Sequence, residues 1–145
     1  LYLFPSHRTG RIMPAAAAAL QRLAARARVV AITARSARGR SNTERWLARA
    51  GLDFIPAIHS PRFLAREPAR VRYKVAAIQG LAGGGSRRFG VGEGGSDLVA
   101  NRGSGLFPGV VSSRQGWRRD YVLFRREEED RPLWERVAAW LEERL

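Results

Sequence analysis

The sequence predicts an α/β domain: a three-layer Rossmann-like arrangement around a mostly parallel sheet, capless or minimally capped. Three observations predict it. Short β-branched apolar runs alternate with segments of helical period. The clearest run, Val29-Val30-Ala31-Ile32, is apolar on both faces, as in a parallel strand covered from both sides. The 145 residues are 45% apolar, with no internal repeat and no dividing linker, so residues 1–145 read as a single domain.

Each element has its own justification. Leu1–Phe4 is apolar, ends at Pro5, and reads as a buried strand. Ser6–Arg11 is a polar loop, and Pro14 suits the first turn of a helix over Ala15–Ala27, with Leu20 and Leu23 inward. Arg28–Thr33 is the next strand and Ala34–Arg40 a basic loop. Ser41 and Glu44 have capping-box spacing, so a helix starts there and stops at Gly51. Phe54–Ile58 is a weaker strand, interrupted by Pro56, and Ser60–Pro68 is a loop. Val71, Val75 and Ile78 give Ala69–Leu81 a core face. Gly83–Ser86 is a turn, Arg88–Gly92 a short strand, and Ser96–Arg102 a short helix capped by Ser96. Phe107–Ser112 and Tyr121–Phe124 read as strands, Arg126–Arg131 as a charged loop, and Leu133–Leu145 as an amphipathic helix with Leu133, Val137, Trp140 and Leu141 inward. Phe4, Phe54 and Phe89 read as core.

Composition removes several function classes. There is no cysteine, hence no disulfide scaffold, thiolate metal site or cysteine nucleophile. No apolar run approaches the length of a membrane span, and no signal peptide opens the chain, so a cytoplasmic location is expected. The chain opens on Leu1 instead of Met, which points to a start trimmed at the N-terminus. The net charge is +13, yet 25 of the 26 basic residues are Arg. That bias fits a G+C-rich coding background, so the charge implies only non-specific contact with nucleic acid. The aromatic residues are scattered, and no helix-turn-helix, zinc-finger or RNA-recognition pattern is present. The single Lys74 stands out against this background: a compact ammonium does what the planar guanidinium of Arg does not.

In parallel sheets ligands bind beyond the carboxyl ends of the strands, so the residues there carry the functional reading. Gly92-Glu93-Gly94-Gly95-Ser96-Asp97 places two carboxylates four apart after a strand, a pattern able to hold a hard cation such as Mg²⁺ and also that of a glycine turn opening a helix. Thr33 offers a hydroxyl and a backbone N–H to a phosphate oxygen, and Lys74 offers a cation. Arg35, in the basic loop that follows, suits a phosphorylated ligand. His7 and His59 read as ordinary loop histidines.

In this order the segments Val29-Val30-Ala31-Ile32-Thr33-Ala34-Arg35, Arg72-Tyr73-Lys74-Val75-Ala76-Ala77-Ile78 and Phe89-Gly90-Val91-Gly92-Glu93-Gly94-Gly95-Ser96-Asp97 resemble the haloacid dehalogenase-like superfamily of phosphatases across roughly Leu1 to Val111. The resemblance implies a phosphomonoester phosphatase, with Thr33 and Lys74 on the phosphate and Glu93 and Asp97 holding Mg²⁺. It fails at the first motif. There Pro5 falls at the nucleophilic aspartate, His7 at the acid/base aspartate and Thr9 at the motif threonine. Proline supplies neither nucleophile nor ligand. Three readings of that departure stand: a catalytically impaired relative keeping the pocket, a sequence altered near its start, or a likeness of fold alone. The expectation is therefore a phosphatase or its impaired relative, with catalytic His7, Thr33 and Lys74, phosphate contacts from Thr9, Thr33, Arg35 and Lys74, and Mg²⁺ on Glu93 and Asp97. The partner is a small phosphorylated ligand, with no membrane. The alternative is a non-catalytic module that binds a phosphate ligand or nucleic acid in a basic cleft.

Overall fold

The computed structural model describes residues 14–81, 88–92, 95–112, 116–118, 121–125 and 130–145. Among these residues helices and strands alternate as far as β4, and two further strands precede the last helix: α1 (Pro14–Ala24), β1 (Ala31–Ser36), α2 (Arg40–Arg49), β2 (Ala57–Ser60), α3 (Glu67–Gln79), β3 (Phe89–Gly92), α4 (Gly95–Gly103), β4 (Phe107–Ser112), β5 (Gly116–Arg118), β6 (Tyr121–Arg125) and α5 (Asp130–Glu142). The expected strand at Leu1–Phe4, the loop at Ser6–Arg11 and the turn at Gly83–Ser86 lie outside the described residues. No described helix is long and apolar enough to cross a membrane.

The architecture is α/β with short parallel strand pairs. β1 pairs with β2, and β3, β4, β6 and β5 follow one another in a second sheet. Among the described residues every pairing is parallel except that of β5 with β6. Parallel neighbours need a crossover, and α2 and α4 supply it between β1 and β2 and between β3 and β4.

Alanine sets the main helix contact. Ala16 and Ala19 of α1 are buried with almost no exposed surface, and so are Leu133, Trp134, Val137 and Ala138 of α5. Small residues on α1 let the backbones approach while the bulk of α5 fills the space between them. Leu20, Ala31, Leu47, Leu52 and Ile55 complete this cluster. Trp140 extends it toward the sheet, meeting the Phe89 ring edge-on at 5.5 Å and the Phe107 ring at 5.8 Å. At its rim Arg22 and Glu142 form an ion pair at 3.1 Å.

Four local expectations are corrected. The helix after β1 does not begin at the Ser41–Glu44 box. It begins at Arg40, out of a 3-10 turn over Ala37–Gly39, with Gly39 at the cap and no side-chain cap bond. The second strand lies at Ala57–Ser60 instead of Phe54–Ile58. In the turn before it Leu52 and Ile55 take the buried places three residues apart, leaving Phe54 53% exposed. β1 runs later than Arg28–Thr33 and continues into the expected basic loop. Its regular pairing still ends at Thr33, opposite His59, and resumes after an irregularity at Ser36. His59 is not a loop residue but is buried in β2. Its Nδ1 lies 3.2 Å from the Ala57 carbonyl oxygen and its Nε2 3.0 Å from Thr43 Oγ1. The Thr43 hydroxyl also donates to the Gly39 carbonyl oxygen at 3.3 Å, so it links His59 to the turn that opens α2.

Trp134 Nε1 is buried and has no hydrogen-bond partner among the described residues. Its contribution is therefore volume, and Trp134→Ala should lower unfolding stability by about 3–5 kcal/mol. Trp134→Phe, which removes the unmet N–H, should cost far less. Urea unfolding of the two variants makes the comparison.

Candidate functional site

The site is built from β3 outward. Gly90 and Gly92 lie two apart in this strand, and so share one face. A Cβ on Gly90 would fall 2.4 Å from the Asn101 side chain, and one on Gly92 would fall 2.2 Å from Asp97 Cβ. Asp97 and Asn101 are four apart on α4 and share a face of that helix. The two missing Cβ atoms thus allow α4 to lie directly on β3, with Asp97 and Asn101 against the strand backbone.

α3 packs beside α4 and also against β1. It carries Lys74, whose Nζ donates to Asp97 Oδ1 at 2.5 Å and to Ser96 Oγ at 3.1 Å. The Lys74 side chain is 12% exposed and that of Asp97 22% exposed, so the ammonium and carboxylate face each other in a partly dry environment. Such a pair is short and strong, and losing either partner leaves the other charge uncompensated.

Lys74 and Asp97 are thus brought into direct contact across 23 residues of sequence. Thr33 sits on β1, the strand against which α3 packs. It accepts the backbone N–H of Arg35 at 3.3 Å, and its hydroxyl proton has no partner among the described residues. Arg35 is turned to α2: its guanidinium stands 5.4 Å from the centre of the Trp46 ring. Burial lowers the pKa of Arg35 from its usual value. Tyr73, beside Lys74 in sequence, has its hydroxyl pushed up by burial, with the charge of Arg40 opposing. His7, Thr9 and Glu93 lie outside the described residues.

Three contributors escaped sequence reading. Ser96, expected as a helix cap, receives a hydrogen bond from Lys74. Asn101 is buried at 8% exposure and lines the same cavity as Lys74 and Asp97. Glu67, in the first turn of α3, brings Oε1 to 3.2 Å from where a Cβ on Gly95 would stand, at the start of α4. The spacing of Gly90 with Gly92 and of Asp97 with Asn101 was visible in the sequence. The pairing of those two patterns was not, because it requires the strand and helix to be in contact.

For a hard cation the described residues offer the Asp97 carboxylate, with the Ser96 hydroxyl beside it and Glu67 near the same helix start. No group of three or more His, Cys, Asp or Glu suited to a metal is present among them. The donors fit Mg²⁺ in kind, since that ion takes one or two carboxylates and keeps several waters. The Lys74 ammonium already occupies one Asp97 oxygen. Comparison with family models, curated proteins and solved structures finds no significant match to the chain. The site therefore stands on its own residues.

Two measurements test this construction. In a double-mutant cycle, Lys74→Met and Asp97→Leu should each destabilise, and the pair should show about 1–2 kcal/mol of coupling, between the values for exposed and fully buried ion pairs. Gly92→Ala should lower stability by about 1–3 kcal/mol by forcing α4 off the strand. Gly39→Ala, where a Cβ meets nothing within 4 Å, should stay within about 0.5 kcal/mol.

Proposed function

We propose that the chain binds a small phosphomonoester at the Lys74–Asp97 cluster and is a phosphatase-like protein whose turnover is impaired at Pro5. The observation that carries this reading is the convergence of the chain's lone lysine with Asp97 and Ser96, at the start of the helix that follows β3. An ammonium held beside a carboxylate, in a site of low exposure, suits a ligand that brings both phosphate charge and a counter-cation. Lys74 neutralises a phosphate oxygen, and the Thr33 hydroxyl donates to another. Asp97 is the described residue that would hold Mg²⁺, with Glu93 next to it in the sequence pattern. When bound, that ion would supply charge neutralisation on the phosphate oxygens. A three-layer Rossmann-like arrangement, in which such a site stands at the carboxyl end of the sheet, belongs to the same proposal.

Pro5 sets the expected limit. A proline in place of the acceptor carboxylate offers no atom to take the phosphoryl group, and His7 is the titratable side chain nearest to it in sequence. The reading is therefore one of retained binding with little or no hydrolysis.

The test compares p-nitrophenyl phosphate hydrolysis, with and without Mg²⁺, by the chain and by its Pro5→Asp/His7→Asp variant. The parent should be silent, the variant should gain Mg²⁺-dependent turnover, and Lys74→Ala should abolish that gain. Inorganic phosphate with Mg²⁺ should raise the Tm of the parent, and this shift should vanish in Lys74→Ala. Turnover by the parent would overturn the impaired-enzyme reading. Silence from both, with no thermal shift, would overturn the phosphatase reading and favour a module binding polyanions through its arginines.

A further inference from the structure

Two loops stand side by side at one end of the first sheet. β1 and β2 run parallel and pair as far as Ser36 and Ser60, so the chain leaves both strands at the same end. Residues 37–40 follow β1, and residues 61–66 follow β2. These two stretches hold Arg38, Arg40, Arg62 and Arg66, all exposed, and no acid. Among them stands Phe63, 79% exposed. The loop around it is braced at both ends. Ser60 Oγ donates to the Arg62 carbonyl at 2.7 Å, and Arg70 Nη2 donates to the Ala65 carbonyl at 2.9 Å. An outward phenyl ring among arginines is a stacking platform set in positive charge. The same loop leads to the Lys74 site. It ends at Glu67, whose Oε1 comes close to Gly95 at the start of α4, next to Ser96 and Asp97. Phe63 is four residues before Glu67, so their Cα atoms are at most about 14 Å apart. From the other loop, the charge of Arg40 acts on the Tyr73 hydroxyl, whose neighbour in the chain is Lys74.

We infer that this surface binds single-stranded nucleic acid, with a base stacked on Phe63 and backbone phosphates on the arginines, and that the strand's terminal phosphate is the monoester directed to Lys74. The first half stands on the surface alone, and the second rests on the phosphate reading given above. A duplex keeps its base faces in its own stack, so an unpaired base is what lies on Phe63. The four arginines outnumber the charge of one phosphate, which favours a strand over a single nucleotide. An acidic peptide would meet the arginines, but its carboxylates bring no flat ring to Phe63. Neither stacking nor charge reads base identity, so the binding is sequence-tolerant.

The test is fluorescence anisotropy with a labelled single-stranded DNA of about eight nucleotides, ending in either a phosphate or a hydroxyl. Phe63→Ala should weaken binding of both strands about 5- to 150-fold, and Phe63→Trp should keep it. Phe54→Ala is the control and should bind as the parent does, since Phe54 is 53% exposed but precedes β2, at the opposite end of the sheet. Replacing Arg62 and Arg66 together by Ala should flatten the slope of log K against log salt by about 1.4. Equal binding by the parent and Phe63→Ala would overturn the inference. So would full competition by polyglutamate at matched charge, which would make the surface a general polyanion site. A separate arm addresses the phosphate. The parent should prefer the phosphorylated strand, and Lys74→Ala should lose that preference while its binding still depends on Phe63. A parent without that preference, whose binding still falls in Phe63→Ala, would overturn the phosphate reading and the placement of the strand's end, and would leave the strand surface standing.

Discussion

The candidate site depends on the approach of α4 to β3. Gly90 and Gly92 present bare backbone where a Cβ would overlap Asn101 and Asp97. Because the helix lies so close, its first turn comes within reach of Lys74 on α3. A methyl group at either position would overlap Asn101 or Asp97 and force that side chain or its helix to shift. Steric permission at two glycines thus sets an electrostatic contact made by a different helix.

That contact has two consequences for the site. Lys74 and Asp97 neutralise each other in a partly buried place, where either charge alone would be expensive to hold. The same arrangement concentrates a cation, a carboxylate and a hydroxyl at the start of one helix. Arg35 takes another course. Its stacking on Trp46 draws it toward α2, and burial there weakens its hold on its proton. A basic loop read as one ligand-facing surface is divided by the fold between an internal packing role and exposed positions such as Arg38 and Arg40.

Long periodic segments were legible from sequence to within a few residues. Leu20 and Leu23 in α1, Ile78 in α3, and Leu133, Val137 and Trp140 in α5 are buried as their spacing predicts. Short elements were less so. Phe54 has the composition of a strand residue and lies outside one, since Leu52 and Ile55 have already filled the adjacent core. Val71 and Val75 keep the helical period of Ile78 but stay only partly buried. Trp134 is buried beside Leu133 because α5 is covered over a wider arc than a single stripe requires.

By itself the sequence offered the succession of strands and helices, the absence of thiol chemistry, and candidate residues for a phosphate, Thr33 and Lys74, and for a cation, Asp97. These follow from side-chain chemistry and from periods of two and 3.6, which are local properties. Only the tertiary structure decided that Lys74 meets Asp97 and Ser96, that His59 is a buried partner of Thr43, and that residues of β1 and β3 line one cavity. Each of these joins residues at least sixteen positions apart in the chain. Whether such residues touch is set by how helices and strands close on one another, which no short window of sequence records.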